Sequence, residues 1–327
     1  MHNISSQVFL IILDGWGWSP IPHGNLLAET ATPNLDTLLA LGNWTMLKTA
    51  SLEVGLPWGS VGDSELGHYN MGTGRVMLRR DNDGHEDFIQ LTERAMAITE
   101  TPYYKLSLGA PLRRMADRPA ISLGTILAGY GLTQAKIAVT EKLPLLTHAM
   151  NGYPSLPLPG EMSFVLRQED RLGDNLAAQK ELMAQALIVI NLSAADIAAH
   201  RGDLAAVRQA ITLIDHQLQD IFELARAKQA VIYLAADHGN IEQMLTEHDQ
   251  ILPGHTTAPV VFARIDARRR QAAIHWASHE QRKAEIALST PSGLLADVGP
   301  TILEEFGLPT PNSMVGLSLR RTLIGRE

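Results

Sequence analysis

The chain has 327 residues, of which 45% are hydrophobic and 19% charged, so it can bury a large core and is too balanced in composition to be disordered. Acidic residues outnumber basic ones by 35 to 27, and no long basic run is present, which makes nucleic acid and anionic membranes poor partner candidates. Cysteine is absent, which excludes disulfides, thiolate metal sites and cysteine nucleophiles. Any metal would therefore be held by His, Asp, Glu or hydroxyl side chains.

The N-terminal region lacks the features of a signal peptide. No Lys or Arg precedes the first apolar run, Val8–Leu13, and that run ends at Asp14. No stretch approaches the roughly 18 apolar residues that span a bilayer. We therefore expect a soluble, cytoplasmic protein with no membrane partner.

The predicted elements alternate between short apolar strands and longer helices, as in an α/β fold with a mostly parallel sheet covered on both faces. In chain order they are a strand at Val8–Leu13, a helix beginning at Thr32 and Pro33, a helix over Ser122–Gly131, a strand at Leu187–Leu192, a helix over Val207–Ala225, strands at Val231–Ala236 and Pro259–Ala263, and a helix over Val298–Phe306. Residues 76–118 and 266–288 are more polar and are predicted to be surface excursions outside the sheet.

Potential metal ligands follow three of the predicted strands, and another precedes the last one. They are Asp14, Asp196, His200, Asp237, His238 and His255. Active sites of such folds lie beyond the carboxyl ends of the strands, and ligands without sulfur suit zinc or manganese. Each residue alone could be a turn former, a helix cap or a surface histidine. Clustered carboxylates would repel one another without a cation, so their joint position favours a metal site.

A glycine-rich segment, Gly55–Arg75, offers a nucleophile. Ser64 follows Gly62 and Asp63 at a turn that enters a helix, where backbone N–H groups favour an anion such as a phosphoryl group. A simple helix cap formed by Ser64 or Asp63 explains the same pattern. No Gly-x-Ser-x-Gly elbow surrounds Ser64, so activation of its hydroxyl by a metal is the economical mechanism if it is the nucleophile.

Together these segments resemble the cofactor-independent phosphoglycerate mutases of the alkaline phosphatase superfamily. The match is co-linear over residues 7–75 and about 119–319. The segments that carry it are LDGWGW from Leu13, GLPWGSVGDSELGHYNMGTGR from Gly55, TEK at Thr140–Lys142, the pair Asp196 and His200, ADHGN at Ala236–Asn240, GHTTAPVVF at Gly254–Phe262 and ADVGPTILEEFGLPTP at Ala296–Pro311.

The resemblance implies one domain over residues 1–327, an alkaline-phosphatase-like three-layer α/β/α sandwich with two divalent ions, Mn or Zn foremost and Mg as a further option. Ser64 corresponds to the serine that is transiently phosphorylated. Lys142 matches a lysine near the transferring phosphoryl group, although by sequence alone it could equally be a solvated lysine at a strand end. The implied ligands are Asp14, Ser64, Asp237 and His238 for one metal, and Asp196, His200 and His255 for the other.

The sequence departs from these mutases after the nucleophile segment. The mutases carry an inserted phosphotransferase domain there, with His-Ser-His and Asp-Gly-Arg-Asp motifs, whereas residues 76–118 occupy that place here and contain neither motif. Without an enclosing domain, glycerate can leave and water can take the phosphoryl group. Asp63 also stands where the mutases usually have Asn. We therefore expect a phosphohydrolase or phosphotransferase that acts on a small phosphate monoester through phospho-Ser64.

Two alternatives stay open at this point. One is phosphoglycerate mutase activity, with residues 76–118 as a lid or with a partner chain in place of the missing domain. The other is a non-catalytic, metal-binding descendant of an enzyme. A sulfatase is disfavoured, because Ser64 is followed by Glu65 and Leu66 rather than by the Pro and Arg of a formylglycine site.

Overall fold

An eight-stranded sheet organises the computed structural model, which describes residues 5–76, 121–166, 180–268 and 289–324. The strands are β1 (Val8–Leu13), β2 (Asn43–Lys48), β3 (Gln134–Ala138), β4 (Glu161–Val165), β5 (Leu187–Leu192), β6 (Val231–Ala235), β7 (Val260–Asp266) and β8 (Gly293–Leu294). Their order across the sheet is β4-β3-β5-β1-β6-β7-β2-β8. Only β7 runs antiparallel to its neighbours, so the predicted mostly parallel sheet is confirmed.

Helices cover both faces of this sheet. They are α1 (Leu26–Glu29), α2 (Pro33–Leu41), α3 (Ser64–Thr73), α4 (Leu123–Gly129), α5 (Ala194–His200), α6 (Leu204–Ala227), α7 (Val298–Glu305) and α8 (Arg320–Ile324). One group packs around α6 and contains α1, α2 and α5, whereas α3, α4 and α8 pack around α7. Every residue of β1, β5 and β6 is buried, as expected for central strands with helices on each side. The three-layer prediction is thus confirmed.

The predicted strands at Val8–Leu13 and Leu187–Leu192 match β1 and β5. The predicted strand at Val231–Ala236 ends one residue earlier. β7 continues to Asp266, beyond the predicted end at Ala263, and is antiparallel because it follows β6 through a loop rather than a crossover helix. Residues 77–118 and 269–288, which make up nearly all of the two predicted surface excursions, lie outside the described residues, so their placement stays a prediction, as does the single domain over 1–327.

The start of α2 shows how the sheet-covering helices are tied together. Thr32 precedes α2 as predicted, with Pro33 in its first turn, but the Thr32 side chain makes no capping hydrogen bond. The cap comes from Asp215 of α6, whose carboxylate accepts hydrogen bonds from Asn34 N at 3.1 Å and Leu35 N at 2.9 Å. A carboxylate at a helix N-terminus satisfies free N–H groups and complements the helix dipole.

Within the described ranges, each helix is too short or too polar to span a bilayer.

A buried ionic cluster fixes the C-terminal helices to the sheet. The Glu305 carboxylate accepts hydrogen bonds from Arg264 Nε at 2.8 Å, Arg320 Nε at 2.9 Å and Tyr233 Oη at 2.9 Å. Burial by itself opposes ionisation of Glu305, but the hydrogen bond and the charge of Arg264 hold its pKa below the ordinary value. Since one carboxylate here serves two guanidinium groups, its charge is needed to keep both of them buried.

We predict that Glu305→Gln lowers the free energy of unfolding by about 3–5 kcal/mol, because it removes the carboxylate charge that both buried guanidinium groups share. The difference in unfolding free energy between wild type and variant should be largest at neutral pH. It should shrink as the pH falls below the ordinary pKa of Glu, since the wild-type carboxylate then takes up a proton. Urea unfolding at several pH values measures it. The control is Glu29→Gln, which breaks the exposed pair with Arg208 and should cost less than about 1 kcal/mol. Equal effects of the two substitutions would contradict the prediction.

Candidate metal centre

The sheet topology brings four predicted site residues to one edge. Strands β3, β5, β1 and β6 are adjacent and parallel, so their carboxyl ends lie side by side. Asp14 directly follows β1, and Asp237 follows β6 after one residue. Asp196 and Lys142 each lie four residues beyond the ends of β5 and β3. Along this edge the loops that carry Lys142, Asp196, Asp14 and Asp237 therefore follow one another in the order of strands β3, β5, β1 and β6.

The remaining site residues reach the same edge through β2 and β7. Because β7 is antiparallel, its amino end lies at this edge, and His255 in the preceding loop is delivered there. A parallel β7 would have left His255 at the opposite edge. Strand β2 leads through a loop to Ser64, the first residue of α3. Asp63 caps that helix by accepting a hydrogen bond from Leu66 N at 2.9 Å.

The Ser64 hydroxyl lies where the candidate ligands meet. Its Oγ is 2.9 Å from His238 Nε2 and 3.3 Å from Asp14 Oδ1. Lys142 Nζ donates hydrogen bonds to Ser64 Oγ at 3.0 Å, Asp14 Oδ1 at 3.0 Å and Asp196 Oδ2 at 2.9 Å. The Lys142 side chain is only 13% exposed, so it is not a solvated lysine at a strand end.

Three buried carboxylates dominate the electrostatics of this edge. Burial, together with the charge of Asp237, raises the pKa of Asp14 to about 6. Burial also opposes ionisation of Asp196 and Asp237, but Lys142 beside Asp196 and His238 beside Asp237 hold the pKa of each below its usual value. Conversely, Asp14 and Asp196 raise the pKa of Lys142 despite its burial. Three carboxylates against one ammonium leave an excess of negative charge, which favours bound cations.

The three histidines turn the same ring nitrogen towards the backbone. Each Nδ1 faces a carbonyl oxygen, which can only accept, so Nδ1 carries a proton and Nε2 is the nitrogen that could supply a lone pair to a metal ion. The pairs are His200 with Pro253 O at 2.9 Å, His255 with Gly62 O at 2.9 Å and His238 with Gly239 O at 3.3 Å. Backbone carbonyls hold metal-binding histidines in this orientation in many proteins.

The geometry of His200 and His255 fits a cation. Their Nε2 atoms are 3.0 Å apart, and burial, reinforced by nearby His238, lowers the pKa of His255 to about 4. At this distance either one ring donates an N–H to the other or both lone pairs face a shared positive ion. The second arrangement fits the Nδ1 atoms of both rings, which face backbone carbonyls. In addition, Asp237 Oδ2 is buried without a well-directed hydrogen bond among the described residues, although His68 Nδ1 is 3.3 Å away.

Two groups of side chains are close enough to share an ion. Ligand atoms lie within 4.8 Å of one another in each group, the first containing Asp14, Asp237 and His238, the second Asp196, His238 and His255. His200 Nε2 joins the second group at 3.4 Å from Asp196 Oδ1. All seven candidate ligands therefore converge. His238 lies near both groups, so its assignment to the Asp14 metal stays a prediction, as do the other ligand roles.

Two supporting residues were missed by sequence reasoning. Asn191 Nδ2 donates to Asp14 Oδ2 at 2.9 Å and lies 3.0 Å from His68 Nε2. His68 Nδ1 in turn donates to the carbonyl oxygen of Ser64 at 2.7 Å. Asn191 is the one polar residue in the run Leu187–Leu192, and His68 lies one helical turn after Ser64. A polar side chain inside a continuous apolar strand was the available signal.

A third supporting residue belongs to a motif that was recognised only for its ligands. Asn240 Nδ2 donates to Asp196 Oδ1 at 2.9 Å, although Asn240 follows β6 and Asp196 follows β5. The bond orients the Asp196 carboxylate, which belongs to the second group. Its donor lies in the loop after β6, which also carries Asp237 of the first group. The last residue of ADHGN thus links the two groups.

Comparison with known proteins places the chain among relatives. The family model described as Metalloenzyme superfamily matches residues 6–310. The 2,3-bisphosphoglycerate-independent phosphoglycerate mutase of Thermosynechococcus vestitus is 34% identical over 210 residues, which cover 60% of this chain and 38% of that protein. That of Anaplasma phagocytophilum is 32% identical over 212 residues, which cover 61% and 39%. The chain therefore spans about two fifths of the length of these curated relatives.

Solved structures share the fold at low sequence identity. A structure of Leishmania mexicana phosphoglycerate mutase at low cobalt concentration aligns with a TM-score of 0.70 and 13% identity, over 97% of this chain and 98% of that chain. The alkaline phosphatase of the Antarctic bacterium TAB5 aligns with a TM-score of 0.56 and 14% identity, over 94% and 99%. The resemblance derived from the motifs is confirmed by these matches: the chain belongs to the Metalloenzyme superfamily, with phosphoglycerate mutases as relatives and the fold of the alkaline phosphatases.

Proposed function

We propose that this protein is a metal-dependent phosphohydrolase or phosphotransferase that acts on a small phosphate monoester through phospho-Ser64. The observation that carries the proposal is the position of Ser64 Oγ, within 3.3 Å of His238 Nε2, Asp14 Oδ1 and Lys142 Nζ. A helix cap needs none of these contacts, and the cap of α3 is already supplied by Asp63. The hydroxyl is thus free to serve the site rather than the helix.

Two divalent ions, Mn or Zn foremost, would supply the positive charge that lowers the pKa of the Ser64 hydroxyl and offsets the charge of a phosphoryl group. Asp14, Asp237 and His238, together with Ser64 itself, would hold one of them. Asp196, His200 and His255 would hold the other. The donor set of carboxylate oxygen and imidazole nitrogen suits these ions, and the excess of carboxylate charge at the site favours their binding.

The first step transfers the phosphoryl group to the protein. Ser64 Oγ attacks phosphorus, the P–O bond to the alcohol of the substrate breaks, the serine proton passes to solvent and the leaving alkoxide takes one up. Lys142 Nζ, 3.0 Å from Ser64 Oγ, can contact an oxygen of the phosphoryl group as it becomes attached there. In the second step water attacks phosphorus and gives up a proton to solvent, the bond to Ser64 Oγ breaks, Ser64 Oγ takes up a proton, and phosphate leaves.

The short segment 76–118, which stands in place of the inserted domain of the mutases, favours hydrolysis over isomerisation. A mutase must retain the dephosphorylated glycerate and present its other hydroxyl to phosphoserine. Only 43 residues, 76–118, stand where that domain is inserted, and its motifs are absent from them. The alignment with the Thermosynechococcus vestitus mutase covers 38% of that protein. Water then competes for the phosphoryl group.

Mutase activity is a second candidate, because the curated relatives with 30% identity or more carry that name. The match with the Thermosynechococcus vestitus mutase covers 60% of this chain and 38% of that protein. A partner chain or residues 76–118 would then have to retain glycerate. The two activities differ in their products and can be separated in one assay.

We predict that Ser64→Ala abolishes hydrolysis of a generic phosphomonoester by protein loaded with Mn²⁺, a loss of at least about a thousandfold, since no acceptor for the phosphoryl group remains. Release of inorganic phosphate is the measurement. Ser60→Ala is the matched control, because Ser60 lies on the same loop and its backbone, not its side chain, bonds to Ser51 and Pro57. Wild-type protein that is inert towards a broad panel of phosphate esters with Mn²⁺, Zn²⁺ and Mg²⁺ would refute the proposal.

We also predict that 3-phosphoglycerate, if accepted, yields inorganic phosphate and glycerate in equal amounts. The physical reason is that residues 76–118 lack the motifs of the domain that encloses the substrate in the mutases, so glycerate is expected to leave before water attacks phosphoserine. Phosphate release and a coupled assay for 2-phosphoglycerate are followed in parallel. Formation of 2-phosphoglycerate without phosphate release would establish the mutase reaction instead.

Removal of metal should destabilise the protein. We predict that a chelator lowers the melting temperature and that added Mn²⁺ restores it, because bound ions offset the repulsion among Asp14, Asp196 and Asp237. A ligand at 100 times its Kd stabilises the folded state by about 2.7 kcal/mol. Differential scanning calorimetry measures the shift, with the double substitution Asp14→Asn and Asp196→Asn as a control that should not respond. A melting temperature unaffected by chelator and Mn²⁺ would contradict the metal centre.

A further inference from the structure

A buried carboxylate outside the candidate ligand set lies at the junction of three loops. Glu242 is 1% exposed and follows the ADHGN segment by two residues. Its Oε2 accepts hydrogen bonds from Gly17 N at 3.1 Å and Asn240 N at 2.8 Å, and its Oε1 accepts one from Thr256 Oγ1. Among the described residues, the hydrogen-bond partners of this carboxylate are thus three uncharged donors.

Each of the three donors belongs to a loop that carries a candidate metal ligand. Gly17 follows Asp14 in the loop after β1, and Asn240 follows His238 in the loop after β6. Thr256 is adjacent to His255, and its backbone N–H donates to Gly239 O at 2.9 Å. Glu242 therefore joins the loops that deliver ligands from β1, β6 and the start of β7.

Two glycines are explained by the close approach of this carboxylate. A Cβ atom at Gly17 would lie 2.5 Å from Glu242 Cδ, and one at Gly239 would lie 2.6 Å from Glu242 Oε1. Either contact would push the carboxylate out of its place. Gly17 of LDGWGW and Gly239 of ADHGN thus leave room for the Glu242 carboxylate.

The influence of Glu242 extends to both candidate ion groups. Asn240, whose backbone N–H it accepts, holds Asp196 Oδ1 through its side chain at 2.9 Å. Thr256 lies beside His255, whose ring stacks on that of His238 with centroids 3.7 Å apart. A shift of any one of these loops would change the distances between the two groups.

We infer that Glu242 is a positioning residue that holds the three ligand loops in the arrangement needed to bind both metal ions. The inference rests on the proposed metal centre and goes beyond it, because Glu242 itself lies outside the ligand set. The part played by Glu242 is hydrogen bonding rather than charge. Replacement of Glu242 by Ala removes its three hydrogen bonds and frees the loops. Replacement by Gln keeps three hydrogen bonds, because the amide oxygen accepts from the two N–H groups and the amide NH2 donates to Thr256 Oγ1.

The test compares three variants by Mn²⁺ affinity, measured by isothermal titration calorimetry at a temperature at which circular dichroism shows each to be folded. Glu242→Ala should bind Mn²⁺ at least about tenfold more weakly, the lower end of the range for residues that orient metal ligands. Glu242→Gln should stay within a few-fold of wild type. Asp215→Ala is the matched control: it removes a buried carboxylate that accepts two backbone N–H bonds far from the site, and should lower stability without weakening Mn²⁺ binding.

The outcomes separate the inference from the proposed centre. If Glu242→Ala binds Mn²⁺ with wild-type affinity, the positioning role is overturned and the metal centre is not. If Glu242→Gln binds Mn²⁺ as weakly as Glu242→Ala does, the charge of Glu242 is required, and the claim that its hydrogen bonds suffice is overturned. Wild-type protein that binds no Mn²⁺ overturns the metal centre and the inference with it. If Glu242→Ala does not fold, Thr256→Val removes one of the three bonds and should weaken Mn²⁺ binding several-fold. Wild-type affinity in that variant contradicts the inference.

Discussion

The structure depends on the need to neutralise three carboxylates buried at one edge of a sheet. Asp14, Asp196 and Asp237 are removed from water, and Lys142 is the one ammonium in contact with them among the described residues. An isolated buried charge is expensive, and like charges at short distance raise each other's pKa. Dications would resolve this conflict, and the Nε2 atoms of His200, His238 and His255 lie within 4.0 Å of carboxylate oxygens of Asp14 or Asp196.

The strand order is what makes this convergence possible. Four adjacent parallel strands place Lys142, Asp196, Asp14 and Asp237 in a row, and the single reversed strand, β7, adds His255 from the opposite chain direction. Hydrogen bonds between the loops then fix the distances. Four residues outside the proposed ligand set take part in these bonds: Asn191, His68, Asn240 and Glu242. Each of them bonds to a proposed ligand, to Ser64 or to a loop that carries a ligand. Ligand geometry is therefore a property of the whole edge rather than of seven side chains.

Sequence reasoning identified the parts that depend on local pattern. Strands β1, β5 and β6 are continuous apolar runs, and the ligands after them follow from strand ends and motif resemblance. Strand β7 was also predicted, within three residues of its ends. Strands β2, β3, β4 and β8 were missed: β3 contains the buried Lys136, β4 is an edge strand with exposed residues, β2 mixes polar and apolar side chains, and β8 has only two residues. The direction of β7 and the cap that Asp215 gives α2 depend on contacts between distant segments. So does the junction at Glu242, and no local pattern encodes such contacts.

The most direct test of the central claim is anomalous X-ray diffraction from a crystal grown with Mn²⁺. The account predicts two peaks at the carboxyl edge of the sheet, one beside Asp14, Asp237 and His238 and the other beside Asp196, His200 and His255, with Ser64 Oγ next to the first. Absence of anomalous density at this edge, with Lys142 still bonded to Asp14 and Asp196, would contradict it.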